Sequence, residues 1–166
     1  MEKQSRRGLL KNAAKAAVAV TGGAAMAQTA NAQVSGKLEK KSVPPKTQAD
    51  KVPTQPGGKK PLFSSIVTYG NMVFLAGVGA HFKGTIEEHT KHVLDELEKN
   101  LIKAGSSMEK VLKVNVYLND LKDYTAMNSV YATANWGDTP PVRTTVAPAG
   151  GIPGDSLVEI DMIAYI

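Results

Sequence analysis

The residue with the most distinctive chemistry is Arg143, in the stretch TPPVRTTVAPAGG at 139–151. Beyond residue 32 it is the only arginine, and every other strong base is a lysine. A guanidinium binds a carboxylate through two parallel hydrogen bonds, a geometry that an ammonium group cannot reproduce. Two explanations stay open. Arg143 either pairs with an internal acid such as Glu159 or Asp161, or projects into a cleft and grips a ligand carboxylate.

Glu159 and Asp161 are the next candidates for chemistry, because they alternate with apolar residues in the stretch LVEIDMIA. This spacing places both carboxylates on one face of a predicted strand. Adjacent acids of this kind form a solvated face in many strands. The functional alternative is that one of them positions or deprotonates a water molecule.

Asn128 lies on a predicted helix together with Tyr124 and Tyr131, which precede it by four residues and follow it by three. Residues at these spacings share one side of a helix. The amide therefore either makes a capping or buried contact, or donates a hydrogen bond where two subunits meet.

The histidines offer weaker support for a metal site. His89 and His92 are three residues apart on a predicted helix, and Glu96 continues their face. The apolar stripe of that helix lies elsewhere, so we expect this face to be solvent-exposed and predict no metal site. The chain has no cysteine, which excludes thiolate ligands and a thiol nucleophile.

Clear local signals define the elements that position these residues. Gly70-Asn71 between two β-rich runs predicts a hairpin. Thr85 and Glu88 form a capping box, and the helix that follows closes near Gly105. Its predicted buried residues follow helical spacing: Ile86, Val93, Leu94, Leu97 and Leu101.

The second half of the globular region repeats the alternation of strand and helix. Residues 111–118 predict a strand, and Asp120 caps a second helix over about 121–134. The stretch VRTTVAP predicts a strand, the glycines at 150–154 a turn, and SLVEIDMIAYI a final strand. The predicted order is therefore β-β-α-β-α-β-β, an α+β sandwich with both helices on one face of a mixed sheet.

The N-terminus has the features of an export signal. Arg6 and Arg7 precede Leu9, a weakly apolar stretch follows, and two A-x-A sites end at Ala27 and Ala32. We interpret residues 1–32 as a twin-arginine signal peptide, read by the twin-arginine export machinery. The mature protein is then expected in the periplasm or outside the cell.

Charge divides the rest of the chain into two parts. Residues 33–60 are rich in lysine and proline with little apolar bulk, and they predict a flexible linker. Residues 61–166 carry seven lysines, Arg143 and twelve acids, a formal charge of −4. This acidic balance disfavours a nucleic-acid partner for the globular domain, because RNA binding uses basic surfaces.

Four stretches together resemble the Rid family of reactive intermediate deaminases, also called RidA or YjgF. They are YGNMVFLAG, KVNVYLNDLKDYTAMNSVYA, PPVRTTV and LVEIDMIAYI, in this order within residues 61–166. The resemblance implies a chorismate-mutase-like fold, a homotrimer with three clefts between subunits, and no cofactor. It also implies that Arg143 binds the carboxylate of a small imine or enamine acid, while Glu159 orients the attacking water.

The resemblance extends to residues that would line the cleft. It places Phe63, Ala76, Gly77, Asn128 and Thr145 there. Three of these depart from the family pattern: Phe63 stands where the family has a tyrosine, Ala76 where it has a serine, and Thr145 where it has a cysteine. In addition, Val78 replaces a glutamine of the family. Several lining groups are therefore less polar than the family pattern.

Three functions follow in order of preference. The first is an exported deaminase that hydrolyses 2-imino or enamino acids to 2-keto acids and ammonia. The second is a non-catalytic binder of small carboxylates or keto acids in the same clefts. The third is an endoribonuclease, an activity attributed to some relatives.

Overall fold

The computed structural model describes residues 39–44, 57–58 and 61–166. The strands and α-helices of these residues are β1 Lys40–Ser42, β2 Ile66–Tyr69, β3 Met72–Gly79, α1 Ile86–Lys103, β4 Val111–Leu118, α2 Tyr124–Tyr131, β5 Val142–Val146 and β6 Val158–Tyr165. Short 3-10 turns at Met108–Lys110, Leu121–Asp123 and Pro153–Asp155 precede β4, α2 and β6. The predicted signal peptide at 1–32 lies outside the described residues.

The six strands form one mixed sheet in the order β1-β2-β3-β6-β4-β5. All neighbours are antiparallel except β4 and β5, which run parallel. β4 and β5 are parallel because the connection through α2 returns the chain to the end of the sheet at which β4 begins. The predicted α+β class and mixed sheet are confirmed.

The hairpin of β2 and β3 forms where the sequence predicts it. Tyr69 pairs with Met72, and only Gly70 and Asn71 connect the two strands. Gly70 has a φ of +60°, a left-handed conformation that favours glycine.

Helix α1 begins with the predicted capping box. The Thr85 hydroxyl accepts from the Glu88 amide at 3.3 Å, and the Glu88 carboxylate accepts from the Thr85 amide at 2.8 Å. The five residues predicted to be buried are all buried. They pack against β3 and β6 in the core between the helices and the sheet.

The helices cover one face of the sheet and leave the other open. Val114 and Val116 are fully buried beneath the helices, so Asn115 and Tyr117 point to the opposite face. In β6, Glu159 and Asp161 likewise alternate with buried residues. The open face therefore carries both acids of the final strand.

The second helix is shorter than predicted. Residues 121–123 form a 3-10 turn capped by the Asp120 carboxylate, and the α-helix spans only Tyr124–Tyr131. Met127 is buried, whereas Leu121 is exposed. Beyond the helix the chain turns, and the Trp136 amide donates to the Ala134 carbonyl at 3.0 Å.

One expectation about α1 is wrong. His89 does not face solvent but is 1% exposed. Its Nε2–H donates to the Phe82 carbonyl at 2.9 Å, and its Nδ1 accepts from the Leu157 amide at 3.1 Å. Both ring nitrogens are occupied, because the loop after β3 and the chain before β6 close over the helix.

Strand β1 comes from the segment predicted as a flexible linker and was not predicted. Lys40, Lys41 and Ser42 pair with β2 at the edge of the sheet. Most of that segment lies outside the described residues. Within residues 39–44, 57–58 and 61–166, no helix is long and apolar enough to span a membrane.

Candidate functional site

Arg143 lies in β5, the strand at the edge of the sheet. In the parallel register it pairs with Val114, whose side chain is buried beneath the helices. Paired residues of neighbouring strands point to the same face, so the Arg143 side chain also points toward the helices. It is half-buried there because β5 has no strand on its outer side.

Two tyrosines of α2 contact the guanidinium. Arg143 Nη2 donates to the Tyr124 hydroxyl at 3.4 Å, and the guanidinium carbon lies 4.5 Å from the centroid of the Tyr131 ring. The latter distance is typical of a cation–π contact. No carboxylate among residues 39–44, 57–58 and 61–166 forms an ion pair with Arg143. The geometry thus favours the ligand-binding explanation over internal pairing with Glu159 or Asp161.

Two hydroxyl groups near this guanidinium lack hydrogen-bond partners within the described chain. They are the Tyr131 hydroxyl and Thr145 Oγ1, and both atoms are buried. Thr145 lies two residues after Arg143 and shares its face of β5. Burial raises the pKa of Tyr131 to about 12, although the positive charge of Arg143 acts in the opposite direction.

Asn128 lies on the same side of α2 as the two tyrosines. The spacing of four and three residues predicts this, and the contacts of Tyr124 and Tyr131 with Arg143 show which side faces β5. The structure therefore groups Asn128, Arg143 and Thr145 at one edge of the molecule.

Glu159 lies on the open face of the sheet and depends on a glycine for its position. A Cβ atom added to Gly77 would lie 2.8 Å from Glu159 Cδ and 3.0 Å from Cγ. Only a residue without a side chain leaves this room. Gly77 occupies an irregularity in β3, where the pairing with β6 shifts between Leu75 and Val78. Ala76 lies in the same irregularity.

Asp161 does not share this arrangement, because its carboxylate is already bound by two side chains of β4. Asn115 Nδ2 donates to Oδ1 at 2.8 Å, and the Tyr117 hydroxyl donates to Oδ2 at 3.0 Å. Burial and the bond to Asp161 raise the pKa of Tyr117. Asp161 is therefore a structural anchor, and Glu159 is the acid of this strand that remains available.

The predicted residues thus fall into two groups on opposite faces of one sheet. Arg143, Asn128 and Thr145 lie on the helix side, whereas Glu159 and Gly77 lie on the open side. Phe63 lies just before β2 with its side chain exposed. A single subunit does not bring Arg143 and Glu159 together.

Sequence reasoning missed two aromatic residues of the site. Tyr131 was noted only for its spacing from Asn128, and Trp136 was not considered. Tyr131 stacks on Trp136 with ring centroids 4.6 Å apart. The sequence offered one indication of Trp136, which is that it is the only tryptophan of the chain.

Comparison with known proteins places this fold in a family. Residues 57–166 match the family described as endoribonuclease L-PSP. A RutC family protein of Pyrococcus abyssi is 38% identical over 110 residues, which cover 62% of this chain and 85% of that protein. The mitochondrial protein mmf2 of Schizosaccharomyces pombe is 41% identical over 110 residues, 61% of this chain and 86% of that protein.

Solved structures agree. Yeast Mmf1 has a TM-score of 0.64 at 25% identity, covering 76% of this chain and 98% of that one. A YjgF family member from Neisseria meningitidis has a TM-score of 0.58 at 33% identity, covering 65% of this chain and 90% of that one. The chain belongs to the endoribonuclease L-PSP family, which includes the RutC and Rid proteins, and the resemblance found in the sequence is confirmed.

Proposed function

We propose that the protein is an oligomeric imine deaminase in which Arg143 of one subunit and Glu159 of a neighbour form each active site. The observation that carries this proposal is a half-buried guanidinium whose described contacts are tyrosines rather than acids. A half-buried cation is stabilised by an anionic partner. A small ligand carboxylate supplies it with the bidentate geometry that a guanidinium favours.

A relative supports the reaction type. The chloroplastic Reactive Intermediate Deaminase A of Arabidopsis thaliana is 29% identical over 145 residues, 82% of this chain and 72% of that protein. Its name gives a deaminase role to a member of the same family. We extend that role to this chain for 2-imino acids and their enamine tautomers.

The open face of the sheet supports assembly. It exposes apolar side chains that a monomer would leave in water: Phe74, Val142, Val146 and Tyr165. A second copy packed against this face and the β5 edge would cover them. A homotrimer is the assembly we propose, because the family resemblance implies it, and cyclic packing would place the edge of each subunit beside the open face of the next.

The reaction begins when the substrate carboxylate binds Arg143. The Glu159 carboxylate accepts a hydrogen bond from water and takes its proton as the oxygen bonds to the imine carbon. The C=N electron pair moves to nitrogen, which takes the proton held by Glu159, and a tetrahedral amino alcohol results. The Glu159 carboxylate then takes the hydroxyl proton and passes it to the amine, the C–N bond breaks, and ammonia leaves as the carbonyl of the 2-keto acid forms.

Glu159→Gln tests this division of roles. Ammonia release would be measured from enzymatically generated 2-aminoacrylate, against its spontaneous hydrolysis, and pyruvate binding would be measured by calorimetry. We expect turnover to vanish while pyruvate still binds. Equal loss of both would assign Glu159 to binding and contradict the mechanism.

Non-catalytic binding is the second candidate, favoured by the apolar Ala76 and Phe63 at positions that are polar in the family pattern. Binding of pyruvate by the wild-type chain without acceleration for any imine would establish it. The family description also names an endoribonuclease. The formal charge of −4 over residues 61–166 opposes RNA binding, and RNA cleavage by a chain lacking residues 33–60 would overturn that ranking.

Export by the twin-arginine route remains part of the proposal. It rests on Arg6, Arg7 and the two A-x-A sites. Fractionation of expressing cells tests it directly. Replacing both arginines by lysine should retain the protein in the cytoplasm, and unchanged export would contradict the assignment.

A further inference from the structure

We propose that Tyr131 and Trp136 form a stacked support that holds the Arg143 guanidinium in position, so that Tyr131 is a positioning residue of the carboxylate site. This inference rests on the proposed function. It goes beyond it because neither aromatic residue belongs to the predicted site.

The Tyr131 ring contacts both other groups. The guanidinium carbon lies 4.5 Å from the Tyr131 ring centroid, and the Trp136 ring lies 4.6 Å from the same centroid at an interplanar angle of 27°. The Tyr131 ring therefore links the cation to the indole that packs against it.

The chain after α2 is built to hold this stack. Trp136 is 7% exposed, and its Nε1–H donates to the Tyr131 carbonyl at 3.0 Å. Gly137 follows with a φ of +69°, a left-handed conformation that favours glycine. The indole is thus fixed to the residue whose ring it supports, and the ring cannot tilt away from Arg143 without breaking this packing.

We assign the interaction to the Tyr131 ring, because the guanidinium carbon lies 4.5 Å from its centroid. The buried hydroxyl makes no hydrogen bond of full geometry within the described chain, although Arg143 lies near enough to oppose the rise of the Tyr131 pKa by its charge and by hydrogen bonding. A π face attracts a guanidinium without occupying its N–H groups. An acidic partner would occupy the same N–H groups that a ligand carboxylate needs. The stack therefore orients Arg143 and leaves its donors available.

The first test reads the geometry without any ligand. The full chain has three arginines, so [15N]arginine labelling gives few side-chain signals, and Arg143→Lys assigns the one of interest. Protons above an aromatic face shift upfield, so we expect an upfield Arg143 guanidinium signal. It should persist in Tyr131→Phe, which keeps the ring, and disappear in Tyr131→Leu and Tyr131→Met.

The second test reads the consequence for binding. Pyruvate affinity, measured by calorimetry, should stay within about twofold in Tyr131→Phe and fall roughly 3- to 30-fold in the ringless variants, the range expected for a cation–π contact. Circular dichroism and thermal denaturation confirm folding in each variant. Tyr131→Met is included because methionine fills irregular space better than leucine.

Three results overturn the proposal. They are the absence of an upfield Arg143 signal in the wild-type chain, equal affinity in folded ringless variants, and a loss in Tyr131→Phe as large as in Tyr131→Leu. If even the wild-type chain fails to bind pyruvate, the proposed function fails. The nuclear magnetic resonance comparison then decides alone whether Tyr131 positions Arg143.

Discussion

Gly77→Ala should remove activity while leaving the fold intact, because the added methyl group enters the space of the Glu159 carboxyl. The new Cβ would lie 2.8 Å from Cδ, whereas ordinary contacts begin near 3.4 Å. The carboxyl carbon must therefore retreat by at least 0.6 Å, and Oε1, which lies closer to the added atom, must retreat further. Glu159 is only half-buried, so it can move toward solvent at little cost in stability.

The expected effect is a loss in kcat of about 100-fold, the size associated with misplacing a catalytic group by roughly 1 Å. In the proposed inter-subunit site KM should change little, because the carboxylate anchor Arg143 comes from the neighbouring subunit and the added methyl group does not displace it. The assay is ammonia release from 2-aminoacrylate, with thermal denaturation as the control for folding. A variant that retains wild-type kcat would refute the assignment of Glu159 to the reacting water.

A double variant separates this cause from a general disturbance of β3. Because Glu159→Gln already removes turnover, the readout in that background is pyruvate affinity, which Gly77→Ala should leave unchanged. A loss of pyruvate affinity would instead show that Gly77 acts on the site through something other than Glu159.

Three further predictions test other parts of the molecule. Arg143→Lys should weaken pyruvate binding almost as much as Arg143→Ala, since an ammonium group cannot form the bidentate pair; calorimetry showing full affinity with lysine would contradict this. His89→Leu should lower the free energy of unfolding by roughly 2–4 kcal/mol, because it leaves the Leu157 amide and the Phe82 carbonyl without their hydrogen-bond partner. Urea denaturation measures this change, and an unchanged midpoint would contradict the role of these two bonds. The unfolded chain ionises tyrosine near pH 10, whereas the folded chain keeps Tyr131 protonated to about pH 12, so the free energy of unfolding should fall between these two pH values. Tyr131→Phe should reduce this fall when denaturation is measured as a function of pH. The same slope in the variant and the wild-type chain would contradict the prediction.

The sequence predicted the elements that rest on local signals. The capping box at Thr85, the hairpin at Gly70-Asn71 and the strand at 111–118 depend on residues close together in the chain, and all three were found. Strand β1 was missed because its pairing with β2 uses backbone groups, and the sequence KKS carries no strand signal. His89 was placed in solvent because one of the two segments that cover it, at Leu157, lies 68 residues further along the chain; the other is the loop at Phe82, seven residues before it.

The arrangement of the site could be predicted only in part. Strand alternation placed Glu159 and Asp161 on one face, but Asp161 is bound by Asn115 and Tyr117, and only the sheet register shows this. That Arg143 lies on the opposite face follows from its parallel pairing with Val114. The sequence near Arg143 does not show which residue of β4 it pairs with. The location of Arg143 and Glu159 on opposite faces of the sheet could therefore be seen only in the structure.

Mixed oligomers test the central claim, that each active site joins Arg143 of one subunit to Glu159 of another. Arg143→Ala and Glu159→Gln chains would be purified separately, shown to be inactive, mixed in equal amounts, unfolded and refolded together. Random assembly leaves about a quarter of the inter-subunit sites with both intact residues, so we expect about a quarter of wild-type ammonia release. Activity that stays at the level of the separate variants, in mixed oligomers confirmed by native mass spectrometry, would contradict an inter-subunit site.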